Sequence, residues 1–240
     1  MFINYAHRGA SAYAPENTMS AFVKALEMKA NGIELDLQKT KDGKIVIFHD
    51  NTLDKHSNAS GKIADYTYSE LMKFDFGSWF DEKYKSEKIV LFEDFAQKFL
   101  SKKLTFAIEL KQEGIEKDTL DIVNKYATHD NIYISSFEYR YLENIRKFNS
   151  KIKISWLIVD QINNDNISKL LKINGTQICP KAESVTASDI KLANDNGLGV
   201  RLWGVFNEEI MKRVYNLNIE GMTVNFPDKL KELIDNSIKG

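Results

Sequence analysis

Four short apolar runs in this chain each meet ionisable side chains at or near their C-terminal ends. The run ending at Ala6 is followed by His7-Arg8-Gly9, and Ile33-Glu34-Leu35-Asp36-Leu37 carries two acids. Val46-Ile47-Phe48 runs into His49-Asp50, and Phe106-Ala107-Ile108 runs into Glu109-Leu110-Lys111. Burying an unpaired ion costs many kcal/mol, so such groups pair, bind a metal or gather at a wet pocket. Polar residues at successive strand ends, all on one rim, are how a β/α barrel builds an active site.

Strand-like runs recur near residues 2–6, 32–37, 44–48, 104–109, 131–136, 152–158, 175–179, 198–203 and 220–224. Helical patterns fall between most of them, at 18–30, 92–101, 115–126, 138–148, 164–173, 186–196, 207–217 and 228–238. In 18–30, Ala21, Phe22, Ala25 and Leu26 recur at helical spacing, and Asn17 or Thr18 can cap the start. Nine strand runs exceed the eight of a closed barrel by one. The surplus is local: Asp42-Gly43 between alternating runs is a hairpin signal. The second strand therefore continues above the rim, turns, and returns through 44–48 to leave His49 over the rim.

These patterns predict the α/β class: a (β/α)8 TIM barrel in which residues 1–240 form one catalytic domain. Residues 51–88 form an insertion after the hairpin, with Tyr66, Tyr68, Phe74, Phe76, Trp79, Phe80 and Tyr84 in it. An insertion of that length is usually functional. It is expected to cap the barrel mouth, with a satellite core as the alternative.

Net charge of −1, with Lys and Arg spread along the chain, excludes the basic stripe of a nucleic-acid surface. The single Cys179 allows no internal disulfide and reads as an apolar filler. No run reaches the ~18–20 apolar residues of a membrane span. No export signal is visible, so the expected location is cytoplasmic.

Alternation along a strand puts Glu34 and Asp36 on one side, and Glu109 and Lys111 on one side of the next barrel strand. Three carboxylates on adjacent strands are hard oxygen ligands suited to Mg2+ or Ca2+, with Mn2+ a further candidate. Alternatively Glu34 and Asp36 form ion pairs with Arg8 and Lys111, but three acids against two bases leave negative charge to offset. Both arrangements can coexist, and Arg8 and Lys111 are then placed to hold a phosphate. His7 and His49 end their runs on the same rim, as an acid–base pair would. His56 and His129 lack such a setting and read as surface residues. Glu16 either orients Arg8 or a histidine, or belongs to the cap of helix 18–30.

In order, these segments resemble the glycerophosphodiester phosphodiesterases. The matching residues are His7-Arg8-Gly9, Pro15-Glu16-Asn17-Thr18, Glu34-Leu35-Asp36, Thr40-Lys41-Asp42-Gly43, His49-Asp50 and Glu109-Leu110-Lys111. Ser135-Ser136-Phe137, with Leu142 and Arg146, looks like the family's Ser-Phe segment, and Trp203 stands where the family has a tryptophan near its seventh strand. The resemblance spans nearly the whole chain and is most specific in its first half. It implies a metal-dependent TIM-barrel enzyme that cleaves a glycerophosphodiester to glycerol 3-phosphate and an alcohol. By motif, Glu34, Asp36 and Glu109 would bind a divalent ion, and His7 and His49 would be the general acid and base. Arg8 and Lys111 would hold the phosphate, with Trp203 at the substrate. The implied route is attack by the glycerol 2-hydroxyl, then opening of a cyclic phosphate by water.

Some positions depart from the pattern. Gly204-Val205-Phe206 follows Trp203 in place of Thr-Val-Asn, and Asn225 stands where an Asp often precedes the aromatic-Pro pair. Lys55 replaces an Arg, and Val90 replaces a proline. None is an expected metal or acid–base position, so they bear on substrate preference. Three other readings remain open at this level: a related barrel phospholipase acting on lysophospholipid or phosphatidylinositol, a non-catalytic glycerol-phosphate-binding barrel, and a purely structural charge network.

Overall fold

The computed structural model describes residues 1–239. Its strands are β1 (Ile3–His7), β2 (Gly32–Lys39), β3 (Ile45–Ile47), β4 (Val90–Leu91), β5 (Thr105–Leu110), β6 (Ile132–Ser136), β7 (Lys153–Leu157), β8 (Gln177–Cys179), β9 (Gly199–Val205) and β10 (Gly221–Val224). Eight of them are parallel to their neighbours, and β1 closes the barrel by pairing with both β2 and β10. The helices are α1 (Met19–Glu27), α2 (Tyr68–Leu71), α3 (Phe92–Phe99), α4 (Glu116–Tyr126), α5 (Tyr139–Phe148), α6 (Asn164–Lys172), α7 (Ala187–Asp195), α8 (Glu208–Tyr215) and α9 (Pro227–Lys239). All except α2, which lies in the insertion, follow barrel strands or the β4 arm. This is the expected (β/α)8 barrel.

Alternation splits each barrel strand in two. One set, including Ile33, Leu35 and Leu37 of β2 and Phe106, Ile108 and Leu110 of β5, joins the helices in the main apolar core. Phe22 of α1, Phe95 and Phe99 of α3 and Phe106 interlock there, with Phe22 meeting Phe95 edge-on at 4.7 Å between centroids. Such tilted pairs stabilise beyond simple area burial. The other set turns into the barrel and carries the polar residues that build the site.

The hairpin forms as the Asp-Gly signal predicts. Leu37, Gln38 and Lys39 of β2 pair antiparallel with Ile47, Val46 and Ile45 of β3. Gly43 takes φ +80°, a conformation that only glycine adopts without strain. The sequence reading lacks β4, which is too short to show a period; Val90 and Leu91 pair with Ile47 and Val46 and extend the hairpin by one strand.

The insertion has its own apolar core. Leu53, Ile63, Leu71, Phe76 and Ile89 pack with Val46 and Phe48 of the hairpin, with Tyr66, Tyr68 and Phe74 against them. Trp79 stays 37% exposed and stacks edge-on against His56 and Phe80. The cavity in the barrel mouth is lined by residues of the rim, and none of residues 51–88 is among them. This packing supports the satellite core over the cap for most of these aromatics. Trp79→Ala is therefore expected to lower the melting temperature, by roughly 2–4 °C for each kcal/mol lost. The order of preference among substrates differing only in their alcohol should stay the same. A changed order with an unchanged melting temperature would restore the cap.

Candidate active site

The strand end of β1 is bent into place by unusual backbone. Arg8 and Gly9 have φ of +55° and +82°, and Asn17 has +58°. A Cβ on Gly9 would lie 2.5 Å from the backbone carbon of Ala21, so only glycine lets this turn rest on α1. Strain of this kind collects where a site must be fixed in one shape. The Pro15-Glu16-Asn17 segment then divides its tasks. Asn17 donates its backbone N–H to the Arg8 carbonyl (2.9 Å) and its side-chain amide to Asp36 Oδ2 (2.9 Å). Glu16 accepts from Arg8 Nη1 at 2.7 Å, while Thr18 caps α1 by accepting from the Ala21 N–H. Of the two readings of Glu16, its contact is thus the one that orients Arg8.

Register brings the acids together. His7 stands opposite Glu34 in the β1–β2 ladder, and Asp36 stands opposite Glu109 in the β2–β5 ladder. One carboxylate oxygen from each of Glu34, Asp36 and Glu109 lies within 4.8 Å of the other two, and all three residues are buried. Of the expected ion pairs, those of Asp36 form and that of Glu34 with a rim cation does not, among the described residues. Arg8 Nε lies 3.3 Å from Asp36 Oδ2, and Lys111 Nζ lies 2.8 Å from Glu109 Oε1 and 4.0 Å from Asp36 Oδ1. The Arg8 backbone N–H donates to Glu34 Oε2 at 3.1 Å.

These cations do not satisfy the cluster. Burial, followed by repulsion from Asp36 and Glu109, pushes the Glu34 carboxyl well above its ordinary range against Arg8 and Arg201. Burial and then Asp36 push Glu109 up to about 7, against Lys111 and Arg8. Burial also pushes Asp36 up, but Arg8, His49, Lys111 and the Asn17 hydrogen bond outweigh it and hold Asp36 at about 2. Asp36 Oδ1 is buried with no hydrogen-bond partner among the described residues. A compact, all-oxygen cluster that holds protons for lack of positive charge fits a hard divalent cation.

Both rim histidines are tied by Nδ1. His7 Nδ1 lies 2.6 Å from Asn225 Oδ1, and His49 Nδ1 lies 2.7 Å from Asp50 Oδ1. Each partner oxygen only accepts, so Nδ1 carries the proton in both rings. The free position is Nε2, which in His7 lies 4.0 Å from Glu34 Oε2. Burial and the Arg8 charge lower the His7 pKa, against Asp36 and Asn225, and keep the ring neutral. Both histidines line the mouth cavity together with Arg8, Glu34, Glu109 and Trp203. Trp203 donates its indole N–H to the Ile158 carbonyl at 3.1 Å and meets Phe137 edge-on at 5.1 Å. Lys111 Nζ lies 5.9 Å from the Phe137 ring.

One expectation is corrected. His56 is not a surface residue: it is 6% exposed, and its Nδ1 lies 2.9 Å from Asp50 Oδ2 and 3.8 Å from Glu16 Oε1. Its neighbours in sequence are polar, and only the fold of the insertion, with Trp79 over its ring, buries it. His129 does lie near the surface, beside Asn124. The sequence reading also missed Asp50 and Asn225 as histidine partners, and it missed Arg201. In Gly199-Val200-Arg201-Leu202-Trp203, Arg201 shares the inward parity of Trp203, a signal that was available.

The family model described as the glycerophosphoryl diester phosphodiesterase family matches residues 7–229. The chain is 31% identical to a glycerophosphodiester phosphodiesterase of Caldanaerobacter subterraneus over 95% of this chain and 96% of that protein. It is 32% identical to one of Bacillus altitudinis over 94% of this chain and 95% of that protein. Among solved structures, a glycerophosphodiester phosphodiesterase of Thermotoga maritima superposes with TM-score 0.78 at 25% identity, covering 97% of this chain and 99% of that one. A phosphodiesterase of Oleispira antarctica, solved with the product sn-glycerol-3-phosphate, superposes with TM-score 0.89 at 24% identity, covering 96% of both chains. The second likeness speaks to the barrel fold alone.

Proposed function

The chain belongs to the glycerophosphoryl diester phosphodiesterase family, hydrolases of phosphoric diesters, and we propose that it works through one divalent ion and two histidines. The observation that carries this reading is the buried, charge-deficient cluster of Glu34, Asp36 and Glu109, of which Glu34 and Glu109 line the same cavity as two histidines tied by Nδ1. Glu34, Asp36 and Glu109 would hold the ion, Mg2+, Ca2+ or Mn2+. When bound it would polarise a phosphoryl oxygen and offset charge developing there.

This chain's own residues divide the remaining work. Arg8 lines the cavity, steadied by Glu16, and Lys111 stands beside Glu109; these two cations would hold the phosphate. His7 is neutral and presents an unprotonated Nε2, so it accepts the proton of the glycerol 2-hydroxyl as that oxygen attacks phosphorus. His49 presents Nε2 with Nδ1 held by a carboxylate, which offsets the charge of an imidazolium. It gives its proton to the departing alcohol. The roles reverse for water to open the cyclic phosphate and leave glycerol 3-phosphate. Trp203 and Phe137 form an apolar wall for the carbon skeleton.

A matrix of metal ions against substrates tests this reading. Protein stripped by a chelator should be inactive, and one or more of Mg2+, Ca2+ and Mn2+ should restore turnover. Glycerophosphocholine or glycerophosphoethanolamine should yield glycerol 3-phosphate. Faster turnover of lysophosphatidylcholine would favour the barrel phospholipase instead. Full activity in the stripped protein would remove the ion from the mechanism.

A further inference from the structure

We propose that Arg201 is a fixed counter-cation beneath the acidic cluster, which weakens binding of the divalent ion and ties it to binding of the phosphate. This rests on the reading of Glu34, Asp36 and Glu109 as ion ligands. Arg201 lies on β9 inside the barrel, is 1% exposed and borders the same cavity as Glu34 and Glu109. A guanidinium is charged at every relevant pH. Its Nε donates to Gln177 Oε1 (3.2 Å) and its Nη1 to Thr223 Oγ1 (2.8 Å), and its Cζ lies 5.2 Å from the centre of the Tyr5 ring. Nη2 has no hydrogen-bond partner among the described residues.

The charge is therefore anchored by neutral groups and makes no direct ion pair among the described residues. An isolated buried cation is costly, so a longer-range field must offset it. Cys179 and Tyr5, then Glu34 and Glu109, favour its charged form, and Glu34 and Glu109 share its cavity. Here Arg201 differs from Arg8 and Lys111. Those two touch the carboxylates from the rim and can turn toward a phosphate when an ion takes their place. Arg201 is held from three sides and cannot leave. An ion entering the cluster is repelled by a charge that stays where it is, and a phosphate anion relieves that repulsion. The ion and the phosphate should each tighten the other's binding by the same factor.

The test is calorimetric titration of Mg2+ into the metal-free full chain, with and without glycerol 3-phosphate, for the parent, Arg201→Gln and Arg201→Lys. Without glycerol 3-phosphate, Arg201→Gln should bind Mg2+ about ten-fold more tightly than the parent, the effect of removing one fixed charge near a dication. It should also lose most of the tightening that glycerol 3-phosphate brings. Arg201→Lys, which keeps the charge, should behave as the parent. Equal or weaker Mg2+ binding by Arg201→Gln overturns the proposal while leaving the ion site standing. A parent that takes up no Mg2+ overturns the ion site and this proposal together. Should metal-free Arg201→Gln fail to fold, circular dichroism decides: recovery by Mg2+, with Arg201→Lys folded without it, supports the proposal, and failure to recover overturns it.

Discussion

Replacing His49 with alanine is expected to lower kcat by roughly 10²–10⁴-fold, and the loss in the cleavage step should depend on the alcohol that leaves. A poor leaving group such as choline or ethanolamine needs a proton as its bond to phosphorus breaks. A p-nitrophenyl leaving group departs as a stable anion and needs none. In a single turnover of glycerophospho-p-nitrophenol the His49→Ala enzyme should therefore release p-nitrophenol at close to the parent rate, while opening of the cyclic phosphate, where His49 takes the proton of water, stays slow. His7→Ala should lose a similar factor on both substrates, because the 2-hydroxyl still has to give up its proton to attack. The motivation is the difference between their partners: Asn225 holds His7 with a neutral amide, and Asp50 holds His49 with a carboxylate. The comparison needs the single-turnover rate of alcohol release for both variants on both substrates, with melting curves to show intact folds. The opposite pattern would exchange the two roles, and near-normal kcat in either variant would remove that histidine.

What could be seen in the sequence follows from how far apart the cooperating residues are. The Asp42-Gly43 turn and the parity of Glu34 with Asp36 are settled within a few residues, so they are visible without a structure. Adding strand order then brings Glu109 opposite Asp36, although the whole insertion lies between them. The partners that orient these groups obey no local rule. Asn225 is 218 positions from His7, and the Arg201 anchors Gln177 and Thr223 are 24 and 22 positions away on neighbouring strands. The surface reading of His56 failed for the same reason. Its burial depends on Trp79, Asp50 and Glu16 arriving together, and the pattern around Lys55-His56-Ser57 contains none of that. The many aromatics of the insertion signalled a compact unit, but only packing shows which side of the barrel they cover.

Metal-free protein should lose stability as pH rises from about 6.5 to 8, the reverse of the usual behaviour of paired carboxylates. Glu109 titrates at about 7 in the folded chain, raised by burial and Asp36 from an ordinary 4.5. The folded state therefore binds a proton that the unfolded state has already lost. That stabilisation is fully present below the unfolded value and disappears as pH climbs through the folded one. Glu34 is raised in the same sense. Asp36, held at about 2, acts the other way, but its contribution changes only in strong acid. His7, lowered by burial and the Arg8 charge from an ordinary 6.5, also acts the other way, and its contribution changes only below about that value, so both are constant across this window. Across this window Glu109 alone accounts for roughly 1 kcal/mol, because each tenfold gain in proton affinity on folding is worth about 1.4 kcal/mol and only the last part of its titration falls here. For a chain of this size that corresponds to roughly 2–4 °C in melting temperature. A saturating divalent ion takes the place of the proton, so the decline should vanish or reverse when Mg2+ or Ca2+ is present. Melting curves from pH 5 to 8.5, in chelator and in excess ion, measure both slopes. Glu109→Gln, which keeps the shape and cannot ionise, should flatten the curve in chelator. If the parent instead grows more stable with rising pH in chelator, the cluster is already satisfied by Arg8, Lys111 and Arg201 and has no need of an ion. The decline in chelator and its removal by the ion thus share one origin, three buried acids that require more positive charge than the chain provides.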